Sequence, residues 1–212
     1  METIDKAIEY IRDFFKEDYS GHDFAHSLRV YEMATKIARK EHADLFVVQL
    51  SALLHDVDDH KLTTTYESKE NAKRFMEENK IEKNIQSQVL DIIDEISFMA
   101  SDSVVPSTLE GKCVQDADRL DAIGAIGIAR TFAYGGSKHH KMVDPTISPN
   151  LSMNKEEYFH QDNSTTINHF YEKLLLLKDM MNTDTAKEIA KHRHQYMLEF
   201  LDEFMDECHQ LK

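Results

Sequence analysis

Apolar residues recur with helical spacing along nearly the whole chain, and polar residues fill the positions between them. No segment shows the alternating pattern of a strand. With only 6 Gly, 3 Pro and no Trp, the chain is short of the turn residues that a sandwich or barrel needs. The expected fold class is therefore all-α. The pattern predicts helices over residues 3–16, 22–41, 45–55, 66–79, 82–96, 107–120, 122–134, 165–181 and 183–208.

Several helix ends carry recognisable capping residues. Asp44 is a suitable N-cap for the apolar helix that begins at Leu45. Ser107 and Glu110 have the spacing of a capping box and predict the start of a later helix. The pair Gly135-Gly136 is expected to end the small-residue helix that precedes it.

Length and composition favour one domain over residues 1–212. Two cysteines are too few for a disulfide framework, so a cytoplasmic setting is expected. No apolar run approaches the length of a membrane span. The net charge of −14 disfavours duplex nucleic acid and anionic lipid as partners. It leaves room for a small phosphorylated ligand, because a metal and a few basic residues can reverse the charge locally.

Four residues from separate predicted helices or helix ends suggest chemistry: His26, the adjacent pair His55-Asp56, and Asp118. An Asp on an apolar helix face is costly unless it is paired or binds a cation. Two imidazoles and two carboxylates would suit Mn²⁺, Fe²⁺, Ni²⁺ or Co²⁺, with about two positions left for water or substrate. The alternative is that both histidines bond to backbone carbonyls in the core and both aspartates are caps.

The segments GHDFAHSLRV, ALLHDVDDHK and QDADRLDAIGAIGIAR resemble the motifs of the HD-domain metal-dependent phosphohydrolases, over residues 20–200 or so. The resemblance implies a single-domain HD-type helical bundle, with a motif core at about 20–135 and C-terminal helices at about 165–208. It also implies that His26, His55, Asp56 and Asp118 are the metal ligands. Asp118 is preferred over its acidic neighbours 116 and 121 because it is the Asp of the string ADRL.

Some members of this superfamily hold a second metal through extra histidines between the His-Asp pair and the last Asp. This chain has no His between His60 and His139, which favours a one-metal site. His60 is the nearby candidate for a second ion, and a solvated loop His is the other interpretation. Mn²⁺ is the expected ion, with Fe²⁺, Ni²⁺, Co²⁺ and Mg²⁺ as alternatives.

Asp59 lies three residues after Asp56, where the family often carries an acidic residue with a role in acid–base chemistry or water positioning. We expect Asp59 to have that catalytic role here. Asp58 is the less favoured neighbour. The alternative is that both acids belong to a solvated loop.

The negative charge of a phosphorylated substrate requires cations, and several basic residues accompany the motifs. The stretch 137–164, which has little periodicity, could close over a ligand, form a surface loop or contribute to a dimer contact. For Arg119, Arg130 and Lys178, structural ion pairs with the many acidic residues are an alternative. The candidate substrate-binding residues are His22, Arg29, Lys61, Arg119, Arg130 and Lys178.

A narrower resemblance, carried by DADRLDAIGAIG and INHFYEKLLLLKDMMNT, is to small bacterial proteins that include the YpgQ-type nucleotide pyrophosphohydrolases. It implies hydrolysis of ribo- or deoxyribonucleoside triphosphates to the monophosphate and pyrophosphate. The alternatives are a 5′-nucleotidase or other phosphomonoesterase, an alarmone hydrolase, and a non-enzymatic helical module that binds metal or nucleotide. A homodimer is left open.

Overall fold

The computed structural model describes residues 2–16, 23–59, 68–96, 104–151 and 164–211. Within these ranges the chain forms nine α-helices, one 3₁₀ helix and no strand, which confirms the all-α fold class. The helices are α1 (Glu2–Phe14), α2 (Phe24–Glu41), α3 (Leu45–Leu54), α4 (Glu70–Glu78), α5 (Lys83–Ile96), α6 (Leu109–Asp121), α7 (Gly124–Ser137), α8 (Thr166–Glu172), the 3₁₀ helix (Leu174–Met180) and α9 (Asp184–Cys208).

Residue contacts divide the chain into two compact units. The first contains α1 to α5 and α6 as far as Asp118, and the second contains the chain from Arg119 onward. The single domain expected from length and composition stays a prediction. All four predicted metal ligands lie in the first unit.

The core of the first unit is built around α3, which packs against α1, α2 and α5. Seven of its ten residues are buried, so this helix has little exposed surface. The amphipathic α1 and α4 pack their apolar faces against the same core. The buried cluster comprises Ile4, Ala7, Ile11, Phe15, Leu50, Leu53, Leu54, Val57, Ala72, Phe75, Met76, Val89 and Ile93.

The N-terminal cap of α3 is confirmed, and that of α6 is corrected. Asp44 Oδ1 accepts from the backbone N–H groups of the second and third residues of α3, at 2.9 and 3.2 Å. For α6, the hydroxyl of Thr108 accepts from Gly111 N at 3.0 Å, so Thr108 is the cap. The N–H and hydroxyl of Ser107 donate instead to Glu95, and Glu110 accepts from the backbone N–H of residue 44. The capping box predicted from Ser107 and Glu110 is therefore wrong.

The second unit is organised by α7 and α9, which pack against each other. Phe132 of α7 contributes an aromatic cluster, with ring centroids 6.2 Å from Phe170, 5.9 Å from Phe200 and 5.8 Å from Phe204. These separations lie within the range of favourable aromatic pairs. The cluster therefore joins α7, α8 and α9.

Two helix boundaries in the second unit differ from the prediction. α7 continues through Gly135-Gly136 to Ser137, so these glycines do not end the helix, and at Gly135 a Cβ would collide with the side chain of Thr166. The helix expected over 165–181 ends at Glu172 and resumes as a 3₁₀ helix. Three residues per turn place Leu174 and Leu177 on one side, where both are buried.

No helix in the part of the chain that the structure describes is both long and apolar enough to cross a membrane.

Candidate metal centre

His26 is placed by the start of α2. Asp23 is the N-cap of this helix, and its carboxylate accepts from the backbone N–H of His26 at 2.7 Å. The capped first turn fixes the backbone from which the imidazole projects. The ring lies in the first unit's interior, with only 1% of the residue exposed.

His55 and Asp56 follow directly after α3. His55 is the C-cap of that helix, and its Nδ1 lies 2.8 Å from the carbonyl oxygen of Ala52. Because a carbonyl only accepts, Nδ1 carries a proton and donates it, so in the neutral ring the lone pair that could bind a metal is on Nε2. Metal-binding histidines usually donate the N–H of one ring nitrogen to a carbonyl or carboxylate in this way, while the other nitrogen faces the metal.

Asp118 completes the group from α6. Its side chain is 33% exposed, whereas those of His26, His55 and Asp56 are 8% exposed or less. The site therefore has a buried side made by the histidines and Asp56, and a more open side next to Asp118. An open side is what a catalytic metal site requires for water or substrate.

The structure brings all four side chains to one point. One donor atom from each of His26, His55 and Asp118 lies within 4.8 Å of the other two. Asp56 Oδ2 is 3.3 Å from Nε2 of both histidines, and Asp118 Oδ1 is 3.5 Å from Nε2 of His26. The rings meet edge to face, with centroids 5.4 Å apart. Donor atoms of His26, His55 and Asp118 thus face a common centre, and Asp56 adjoins it through its contacts with the two histidines.

The electrostatics of the group favour a positive charge at that centre. Burial of the His55 ring favours its neutral form, but the nearby carboxylates of Asp56 and Asp118 outweigh burial and raise the pKa of His55 to about 9. Its Nε2 is buried and makes no hydrogen bond of normal geometry with any residue in the described ranges. A divalent cation would satisfy both the carboxylates and this nitrogen, so the residues present fit such an ion.

The acidic neighbours of Asp118 are also accounted for. Asp116 is fully buried, and Asp121 accepts from Arg130 at 2.6 Å within the second unit. Neither belongs to the group of His26, His55 and Asp118 found in the described residues; Asp56 also lies outside that group of three but contacts both histidines at 3.3 Å.

The two acids after Asp56 have different environments. Asp59 is half-buried, and its backbone N–H donates to the Asp56 carbonyl at 3.1 Å. Asp58 is only 3% exposed, and its carboxylate accepts from the backbone of α4. Its interpretation as part of a solvated loop is therefore wrong. Sequence reasoning missed this contact, because its donors lie 13 and 14 residues further along the chain.

Among the expected substrate-binding residues, Arg29 lies in the first unit. It is half-buried on α2, one turn after His26. His22 and Lys61 lie outside the described residues, as does His60, the candidate for a second ion.

The other three expected cations lie in the second unit. Arg119 donates to the carbonyl of Met180, Arg130 forms the ion pair with Asp121, and Lys178 is 3.3 Å from Asp179. These contacts correspond to the structural alternative for each residue. A role in phosphate binding stays a prediction for all three.

A helical unit that gathers His, His-Asp and Asp in this order agrees with the comparison to known families. The family model of the HD domain matches residues 23–123. The chain is also 40% identical to the YpgQ protein of Bacillus subtilis over 195 residues, which are 91% of this chain and 87% of YpgQ. The chain belongs to the HD-domain family, and it is a metal-dependent phosphohydrolase.

Solved structures of related proteins show the same architecture. A protein of Lactobacillus plantarum is 39% identical, with a TM-score of 0.88 over 99% of this chain and 98% of that one. An HD-superfamily hydrolase of Bacillus thuringiensis is 42% identical, with a TM-score of 0.76 over 98% and 97%. The YpgQ protein of B. subtilis in complex with ADP is 37% identical, with a TM-score of 0.76 over 96% and 97%.

Proposed function

We propose that this phosphohydrolase cleaves nucleoside triphosphates, ribo or deoxyribo, to the nucleoside monophosphate and pyrophosphate. The observation that supports a nucleotide as the substrate is the complex of the related YpgQ protein with ADP. The two proteins align over nearly their full lengths, so a nucleotide is the substrate class that this relationship favours. The cleavage between the α- and β-phosphates follows the resemblance to the YpgQ-type group.

Within the centre, His26, His55, Asp56 and Asp118 would hold one divalent ion. Mixed nitrogen and oxygen donors suit a first-row transition metal, and Mn²⁺ is the ion that we propose. When bound, such an ion supplies charge neutralisation for phosphate oxygens and lowers the pKa of a bound water.

Asp59 is proposed as the proton acceptor for the attacking water. It immediately follows the buried stretch from His55 to Asp58, and its hydrogen bond to the Asp56 carbonyl keeps it close in the backbone to a metal ligand. Water attacks the α-phosphorus, the bond from that phosphorus to the bridging oxygen breaks, and pyrophosphate leaves with that oxygen. The carboxylate of Asp59 takes the proton that the water loses.

The basic residues would bind the rest of the triphosphate. Arg29 shares α2 with His26 at a separation of three residues, so the two side chains lie on neighbouring positions of one helix face. We propose that it contacts a phosphate, together with His22 and Lys61.

The test separates the two phosphate products. Metal-stripped protein is incubated with Mn²⁺ and a panel of ribo- and deoxyribonucleotides, and pyrophosphate is then resolved from orthophosphate. We expect pyrophosphate and monophosphate in equal amounts. Orthophosphate alone would identify a phosphomonoesterase, and tight metal binding without turnover would identify a binding module. A His26→Ala variant purified in the same way shows how much turnover comes from contaminating phosphatases.

A further inference from the structure

We propose that Asp58 is a positioning residue for the metal centre, because it fastens the turn that carries His55 and Asp56 to the beginning of α4. The inference rests on the metal centre of the proposed function. It does not depend on which phosphoester is the substrate.

Asp58 performs the capping that α4 lacks locally. The residue in the N-cap position of α4 is Lys69, whose side chain makes no cap hydrogen bond. Asp58 accepts instead from the backbone N–H groups of Asn71 and Ala72, at 3.2 and 2.9 Å. These are the second and third residues of the helix, which are the N–H groups that an N-cap side chain normally satisfies. A buried carboxylate is also favoured by the positive end of the helix dipole.

Asn71 adds a second connection between α4 and the same turn. Its Nδ2 donates to Asp58 Oδ1 and to the carbonyl of Val57, both at 3.0 Å. Its Oδ1 accepts from Arg74 at 2.9 Å, which orients the amide so that the nitrogen faces the turn. The backbone at Val57 and the side chain of Asp58 are thus both held by one helix end.

Two backbone hydrogen bonds lie within the turn itself. After α3, the backbone N–H of Val57 reaches the Leu54 carbonyl only at 3.4 Å, and that of Asp59 reaches the Asp56 carbonyl at 3.1 Å. Asp56 must nevertheless hold one oxygen 3.3 Å from both ring nitrogens. The contacts to α4 add a restraint on this turn from outside it.

Residues that orient metal ligands without touching the metal commonly change metal affinity or activity by 10–100-fold when they are removed. We expect Asp58→Ala to weaken Mn²⁺ binding by about tenfold in titration calorimetry without nucleotide. Asp58→Asn keeps one acceptor oxygen, so its loss should be smaller. Asn71→Ala removes only the side-chain connection and should also show a smaller loss. The visible spectrum of the Co²⁺ form should change in the same order, since it reports the geometry of the ligands.

The matched control is Asp44→Ala. Asp44 caps α3 through two backbone N–H groups, as Asp58 caps α4, but it lies at the far end of the helix that leads to His55. This variant should lose thermal stability while its Mn²⁺ affinity stays within about twofold of the wild type, because no metal ligand loses a contact.

Equal Mn²⁺ affinities in the Asp58 and Asp44 variants would overturn the inference and leave Asp58 as a helix cap only. If Asp58→Ala does not fold, Asp58→Asn and Asn71→Ala are judged against the same control. A wild-type protein that binds no divalent ion would overturn the metal centre itself, and this inference with it. Metal binding without nucleotide hydrolysis would overturn the proposed substrate alone.

Discussion

Two glycines of α7 should respond in opposite ways to the same added methyl group. In Gly127→Ala the new Cβ would overlap the carbonyl carbon and oxygen of Ala122 in the turn before the helix. Backbone atoms cannot rotate away as a side chain can. In Gly136→Ala the new Cβ has no atom of the described residues within 4 Å, apart from its chain neighbours and the backbone of its own helix. Both positions are helical, so both variants gain the same helix propensity. The difference between their changes in unfolding free energy therefore measures the cost of the collision.

The magnitudes follow from these two environments. Overpacking costs about 3 kcal/mol at the upper end of its usual range, and replacing a helical Gly by Ala recovers about 1 kcal/mol. Gly127→Ala should therefore destabilise the protein by about 2 kcal/mol, which lowers the melting temperature by roughly 4–8 °C for a chain of this size. Gly136→Ala should raise stability by about 0.5–1 kcal/mol.

Differential scanning calorimetry of the two variants beside the wild type measures both effects, and urea unfolding gives the free energies. A Gly127→Ala protein as stable as Gly136→Ala would refute the reasoning, because the Ala122 carbonyl could not then approach residue 127 as closely as the structure shows.

The other predictions concern the site, a helix cap and the thiols. Asp56→Ala should abolish both metal content and turnover, whereas Asp59→Ala should keep the metal by elemental analysis and lose 10²–10⁴-fold in rate, as removal of a general base does; normal turnover of Asp59→Ala would remove its catalytic role. Thr108→Ala should lose about 1 kcal/mol of unfolding free energy in urea, as loss of an N-cap does; an unchanged value would mean that another group caps α6. Burial, with nearby acids, raises the pKa of the Cys113 thiol to about 12, so a thiol reagent at pH 8 should label only the exposed Cys208 until the protein is denatured. Labelling of both thiols in the native state would contradict this.

The helices and the grouping of three candidate ligands could be predicted where a local pattern or a short motif gives the signal. The start of α3 follows from the cap at Asp44 and is confirmed, and the helix ends at Leu54, one residue before the predicted end. The ligand positions at His26, His55 and Asp118 follow from motif order, and the structure brings them together. Each of these features depends on residues close in sequence or on a short motif.

Features that depend on distant contacts could not be predicted in this way. Ser107 and Thr108 are equally good capping residues by type, and the choice between them depends on Glu95, which takes both donors of Ser107. Asp58 looked like a loop residue because its partners at the start of α4 lie 13 and 14 residues further on. Gly135 looked like a helix end because Thr166, its neighbour in space, is 31 positions away.

The burial of α3 has a consequence for how enzymes of this architecture diversify. A helix with most of its residues in the core cannot slide or rotate without exposing apolar surface, so the ligands at its end share the rigidity of the interior. Exposed segments carry no such constraint. New substrate preferences can therefore evolve by exchange of those segments, while the cation-binding chemistry is inherited unchanged.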